Sequence, residues 1–149
     1  MLFSLRRAVP EDAAVLTDIH VRARRESMSY LPDTYSPEEV LAWMGEVVLA
    51  HDEVWVAARG EDVVGFLALS DDLLYHLYVY PEDQGQGAGS ALLDLVKELR
   101  PGGFRLWVFQ RNEQARGFYE HRGLRLVELT DGSENEEREP DALYEWRPG

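Results

Sequence analysis

Between Pro81 and Leu93 the chain reads Pro-Glu-Asp-Gln-Gly-Gln-Gly-Ala-Gly-Ser-Ala-Leu-Leu, with glycines alternating at 85, 87 and 89. Alternating glycines remove side chains where backbone N–H groups can converge on an anion. A helix that follows adds its unpaired amides and the positive end of its dipole. The chemistry open to such a stretch is the cradling of a pyrophosphate. Two familiar phosphate loops do not match it. A P-loop needs Gly-x-x-x-x-Gly-Lys and then Ser or Thr, and the nearest lysine is Lys97, well inside the following helix. A dinucleotide loop needs Gly-x-Gly-x-x-Gly, and its third glycine would fall on Ser90 or Leu92. The pattern that fits is Gln-x-x-Gly-x-Gly, with Gln84, Gly87 and Gly89 at the fixed places.

A second pattern begins one helix and one strand later. Asn112, Ala115, Phe118, Tyr119 and Gly123 occupy every fixed position of Asn-x-x-Ala-x-x-Phe-Tyr-x-x-x-Gly. Asn112 reads as a helix N-cap, and Phe118 falls one turn beyond Ala115 on the same helix face. Together the two patterns resemble the paired signatures of the GNAT superfamily of N-acetyltransferases. The likeness is strong from Leu73 to about Val127 and rests on element order elsewhere.

That resemblance implies a set of roles. Main-chain groups of Leu77, Tyr78 and Val79 would pair with the pantetheine arm of an acyl-CoA, as an added strand pairs with a sheet edge. The amides of Gln84, Gly85, Gln86, Gly87, Ala88, Gly89 and Ser90 would hold the pyrophosphate. Asn112 would bond the pantetheine region, with Ala115 and Phe118 lining the arm. The Val79 amide would face the developing oxyanion, and Tyr119 would protonate the leaving thiolate as general acid. Relatives often carry a glutamate base on the strand before the loop, but Leu73–Tyr80 contains no carboxylate. His76 has the only suitable side chain there, with a water chain as the alternative. Strand alternation sets His76 on a face with Leu74, Tyr78 and Tyr80. Acceptor specificity is expected in residues 28–43, where Tyr30, Tyr35 and Trp43 form an aromatic group, and in the acidic stretch Glu134, Glu136, Glu137, Glu139 and Asp141.

The elements that must position these residues are legible from periodicity and turn chemistry. Leu2–Arg6 reads as a strand. One helix runs from Pro10 to about Glu26, and a second starts at the capping box Ser36-Pro37-Glu38-Glu39. Glu53–Arg59, Val63–Ser70 and Leu73–Tyr80 form a meander of strands joined by Gly60-Glu61-Asp62 and Asp71-Asp72. The helix after the glycine loop carries Ala88, Ala91, Leu92, Leu95, Val96 and Leu99. Then come strand Phe104–Phe109, helix Glu113–Arg122, and strands Leu124–Thr130 and Ala142–Arg147. The fold class is α/β (α+β), in the order β-α-α-β-β-β-α-β-α-β-β. It implies a mixed, mostly antiparallel sheet of about seven strands in which a helical crossover makes one central pair parallel. In the family that parallel pair splays apart to admit the cofactor.

Composition limits the partners. The 149 residues are expected to form a single domain, residues 1–149. No apolar run approaches the roughly 18 residues of a membrane span, and the N-terminus does not read as a signal peptide, so a cytoplasmic protein is expected. With no cysteine there is neither disulfide nor thiolate metal site, and no metal is expected. A net charge of −13 repels nucleic acid and anionic lipid and favours a cationic amine. It also opposes a polyanionic cofactor, which local amides and arginines must offset. The expected activity is direct transfer of an acetyl group from acetyl-CoA to an amine, first a small molecule and alternatively a protein N-terminus or lysine. A non-catalytic acyl-CoA sensor is the reading from another class, and a second copy of the chain is a candidate partner.

Overall fold

The computed structural model describes residues 3–149, so Leu2, the expected start of the first strand, lies outside the described residues. The elements are β1 Ser4–Arg7, α1 Ala13–Ser27 behind a 3-10 turn at Pro10–Asp12, and α2 Pro37–Trp43, which passes through a π-helical turn (Met44–Val48) into the short α3 Leu49–His51. They continue with β2 Glu53–Arg59, β3 Asp62–Ser70, β4 Leu73–Val79, α4 Ala88–Leu99, β5 Phe104–Phe109, α5 Glu113–His121, β6 Arg125–Leu129 and β7 Asp141–Trp146.

Local chemistry sets the helix starts. The Ser36 hydroxyl accepts from the Glu39 N–H (3.1 Å) while the Glu39 carboxylate accepts from the Ser36 N–H (2.9 Å), so the capping box forms as read. Asp12 accepts from the Val9 N–H and from the Arg6 guanidinium (both 2.8 Å), tying β1 to the entry of α1.

Seven strands form one sheet in the order β1-β2-β3-β4-β5-β7-β6. Every neighbouring pair is antiparallel except β4–β5, which is parallel. One face carries the larger core, in which Leu67, Leu69, Leu74 and Val79 meet Leu92, Leu93 and Val96 of α4 and Tyr119 of α5. The opposite face packs Val54, Val56, Phe66 and Ala68 against Leu16 and Ile19 of α1 and against Met44 and Val48 of the π-helical turn. The sheet is therefore covered on both sides, and the site lies at its parallel seam. Among the described residues no helix is long and apolar enough to cross a membrane.

One expectation about strand faces is corrected. β4 pairs with β3 through Ala68↔His76 and then Leu69↔Leu74, which leaves Tyr75 as an extra, bulged residue. The bulge shifts the alternation, so Leu74 joins Val79 in the α4-side core. Tyr78 and Tyr80 pack on the other side, where the His76 ring meets His20 of α1 and Trp43 of α2. His76 and Leu74 thus lie on opposite faces.

Gly65 of β3 lets β4 and α4 approach it closely. A Cβ there would sit 2.8 Å from the Tyr78 carbonyl oxygen, 3.0 Å from Val79 Cγ2 and 3.3 Å from Leu92 Cδ1. Because the nearest obstacle is backbone, Gly65→Ala is expected to destabilise the protein by about 1–3 kcal/mol. Denaturant unfolding should show a lower midpoint with an unchanged slope; an unchanged midpoint would contradict the close approach.

Candidate active site

The parallel seam is joined at only one end. β4 and β5 pair at Leu73↔Arg105, and the Arg105 N–H donates to the Asp72 carbonyl at 2.8 Å. Beyond that bridge the strands part around a cavity of about 680 Å³. One wall is Leu74, Tyr75, Leu77 and Tyr78, and the other is Leu106, Trp107, Val108 and Phe109. Asn112, Ala115 and Tyr119 come from α5, while Glu134, Glu136 and Glu137 flank the cavity on the acidic loop.

Backbone polarity along β4 follows from the register. The Tyr80 N–H donates to the Val64 carbonyl at 2.9 Å, which brackets the Gly65–Val79 pair. In an antiparallel ladder a bracketed pair exchanges no hydrogen bonds of its own. The N–H and C=O of Val79 therefore turn away from β3, toward the seam. The same alternation turns Leu77 toward the seam and Tyr78 toward Phe66. Of the three strand residues expected to offer main-chain groups, Leu77 and Val79 turn theirs away from β3, and Leu77 and Tyr78, though not Val79, line the cavity. The Gln84 side chain closes this end of the strand by donating to the Val79 carbonyl at 3.2 Å.

The glycine loop enters α4 through a left-handed turn. Gly87 caps α4 in the left-handed conformation (φ 98°), which a side chain would strain. Ala88, Gly89 and Ser90 form the first turn of α4, whose amides have no intrahelical partner. The two carboxylates nearest the loop are already matched: Arg22 reaches Glu82 at 2.7 Å and Arg59 reaches Asp83 at 3.0 Å. Arg59 also hydrogen-bonds Gln86 of the loop. Arg22, Arg59 and, near Ser90, Arg122 were not singled out by the sequence reading. Only Arg122 had a local signal, its place beside the last glycine of the second motif.

α5 brings the second motif to the cavity. The Asn112 Oδ1 accepts from the Ala115 N–H at 3.2 Å, capping the helix and leaving the side-chain NH2 free of that bond. Tyr119 is buried and lines the cavity. Among the described residues its hydroxyl has no hydrogen-bond partner, and burial pushes its pKa up, with a smaller contribution from Tyr78. The phenol is therefore protonated at neutral pH. Phe118 packs against Gly89, linking the two motifs.

The remaining candidates lie outside the cavity lining. His76 sits in an aromatic group with His20 (ring centroids 5.6 Å apart), Trp43 (5.3 Å) and Tyr78 (6.0 Å). The Nδ1 atoms of both histidines are buried without partners. Burial, then the positive fields of His20 and Arg24, brings His76 down to about 3; burial and Arg24 bring His20 to about 4. Tyr30 lies under the Arg111 guanidinium (4.1 Å), and Tyr35 hydrogen-bonds Glu136. Together with Arg24–Glu137 (3.6 Å), these contacts lace the loop after α1 to the acidic loop. Glu139 is the buried anchor of that loop, held by Arg111 at 2.7 and 2.9 Å. Of the Met28–Trp43 region, Met28 reaches the cavity and Tyr30, Tyr35 and Trp43 do not.

Comparison with known proteins agrees with this geometry. Residues 50–125 match the family model described as an acetyltransferase (GNAT) domain. The chain belongs to the GNAT acetyltransferase family. It is 30% identical over 128 residues to the peptidyl-lysine N-acetyltransferase YjaB of Salmonella typhimurium, covering 85% of this chain and 86% of the relative. The solution structure of apo YjaB from Escherichia coli superimposes with a TM-score of 0.82 at 26% identity, covering 98% of both chains. The PaiA N-acetyltransferase of Thermoplasma acidophilum, solved in complex with coenzyme A, shares the fold at a TM-score of 0.74 and 22% identity, covering 99% of this chain and all of that one. The mixed seven-stranded sheet is thus the GNAT fold.

The buried histidines make stability pH-dependent. Both have folded pKa values below the ordinary 6.5. As pH falls below about 6.5 the unfolded chain takes up protons that the folded chain refuses. Stability is therefore full above that pH and declines toward pH 4 for His20 and pH 3 for His76. Each is expected to contribute about 1–2 kcal/mol to the loss between pH 7 and pH 5. Denaturant unfolding of wild type and of His20→Phe/His76→Phe at both pH values checks this; equal losses in the two proteins would contradict it.

Proposed function

We propose that the protein transfers an acetyl group from acetyl-CoA to the side-chain amine of a peptide-borne lysine. The observation that carries this reading is a single cavity joining three features: the open edge of β4, the Tyr119 hydroxyl and a mouth lined by Glu134, Glu136 and Glu137. Acetyl-CoA fits the residues present, because the Leu77 main chain, the Val79 N–H and the first-turn amides of α4 have no partner within the sheet or helix. It would supply an acetyl group already activated as a thioester. The carboxylates at the mouth favour an ammonium over a neutral or anionic acceptor. A peptide lysine takes precedence over a free small-molecule amine because the matched relatives from Salmonella typhimurium and Escherichia coli carry the name peptidyl-lysine N-acetyltransferase.

The chain's own groups divide the work. Val79 offers a free N–H donor toward an oxygen that gains negative charge. Tyr119 keeps its proton at neutral pH and can donate it to a leaving thiolate. The acceptor must lose a proton, since an unperturbed lysine pKa of about 10.4 leaves it cationic. His76 fits that task poorly: a group brought to about 3 holds a proton weakly at pH 7. Proton loss is therefore assigned to water at the acidic mouth.

Thiol release from acetyl-CoA in the presence of a lysine peptide, with the same peptide acetylated as control, tests the activity. Tight coenzyme A binding without turnover on any amine would favour a sensor instead. Tyr119→Phe is expected to lower kcat by roughly 10²-fold or more with little change in KM for acetyl-CoA. A wild-type kcat in that variant would remove Tyr119 from the acid role.

A further inference from the structure

Tyr119 shares the cavity with a second phenol. Tyr78 of β4 also lines it, and among the described residues no hydrogen bond engages its hydroxyl. Three rings hold the Tyr78 ring in place. His20 of α1 meets it edge-on at 5.1 Å between centroids, Phe66 of β3 lies at 6.0 Å, and His76 stacks at 6.0 Å. Packing of this kind fixes the orientation of an aromatic side chain. Burial pushes the Tyr78 phenol up, so it stays protonated at neutral pH. The charged groups that act on it are Arg24 and Glu137, themselves paired at 3.6 Å. Both imidazoles of the cage are neutral at that pH, since burial brings His20 to about 4 and His76 to about 3. No imidazolium therefore repels an arriving amine.

The two phenols come to the cavity from opposite faces of the sheet. Tyr119 belongs to the core under α4 and α5, and Tyr78 packs with the core under α1. They are near enough that Tyr78 acts on the Tyr119 phenol. In a tetrahedral intermediate the entering nitrogen and the leaving sulfur hang on different bonds of one carbon. Groups that approach this carbon from opposite sides therefore serve different atoms. Tyr119 is assigned to the sulfur. A phenol oxygen can accept one hydrogen bond while its O–H donates another, and the protein claims neither capacity at Tyr78.

We propose that the Tyr78 hydroxyl receives the acceptor amine: its oxygen accepts one N–H of the lysine nitrogen and turns the lone pair toward the thioester carbon. This rests on the acetyl transfer proposed above. No proton passes through Tyr78. The nitrogen loses its proton to water, the C–N bond forms, and the C–S bond breaks as Tyr119 protonates the sulfur. The contribution of Tyr78 is orientation of the nucleophile.

Tyr78→Phe tests the assignment, because it removes one oxygen and keeps the ring that the cage holds. Steady-state kinetics with a lysine peptide are expected to show kcat/KM for the peptide lowered about tenfold, as for the loss of one hydrogen bond. KM for acetyl-CoA, coenzyme A affinity by calorimetry and the midpoint of denaturant unfolding should stay at wild-type values. The losses in Tyr78→Phe and Tyr119→Phe should multiply in the double variant, as for groups that serve different atoms. A wild-type kcat/KM in Tyr78→Phe, or a double variant no slower than Tyr119→Phe, overturns the role of Tyr78 alone. A lowered unfolding midpoint or weakened coenzyme A binding also overturns it, because the hydroxyl then serves the fold or the donor. Failure of the wild-type protein to acetylate the peptide overturns the function proposed above and this inference with it.

Discussion

The site depends on a parallel strand pair that is joined at one end and open along the rest. A parallel pair buried between helices would ordinarily continue its ladder, because unpaired backbone groups away from water are costly. Here β4 and β5 meet at Leu73 and Arg105 and then separate. The separation leaves the Val79 N–H without a partner from the sheet and creates the cavity between the two walls. Gln84, which takes the Val79 carbonyl, and Gly65, which admits the Tyr78 backbone, hold the open edge in place.

Charge is arranged locally against the overall sign of the protein. A chain of net charge −13 repels a polyanion at long range, but screening confines that repulsion to about 8 Å at physiological salt. What matters at the loop is the immediate neighbourhood, where Glu82 and Asp83 are each matched by an arginine. At the cavity the acidic loop contributes Glu134, Glu136 and Glu137. Tyr35 and Arg24 engage Glu136 and Glu137 there, and Glu139 is buried against Arg111. The acidic loop thus gives the cavity a cation-attracting side, while the glycine loop lies outside the cavity lining.

Much of this was legible in the amino-acid sequence. The two motifs named the loop, the capped helix and Tyr119 because each depends on residues within a dozen positions. The element order disclosed the parallel pair because a helix between two strands dictates it. What escaped depends on pairing between distant segments. The Tyr75 bulge is decided by β3 against β4, so strict alternation misplaced Leu74 relative to His76. The Arg22–Glu82 pair spans 60 residues and leaves no local trace. His76 had the right side chain for a base, yet its environment comes from α1 and α2, whose packing no strand pattern discloses. Tyr30, Tyr35 and Trp43, expected to line an aromatic pocket, instead meet Arg111, Glu136 and the second core respectively.

The bulge at Tyr75 also sets a rule of phase. On a regular strand Leu74 and Leu77, three positions apart, would project to opposite faces; the extra residue lets both serve the α4-side core while His76 and Tyr78 serve the other. β4 therefore counts in odd steps at its start and even steps afterwards. Deleting one residue between Leu74 and Leu77 would remove the bulge and leave both leucines on one face by regular alternation, whereas a deletion after Leu77 would exchange the faces of the residues beyond it. The length of the strand beside the cavity is consequently constrained beyond the bulge, and the acidic loop is fixed in turn by the close approach of Gly132 to the Glu139 backbone.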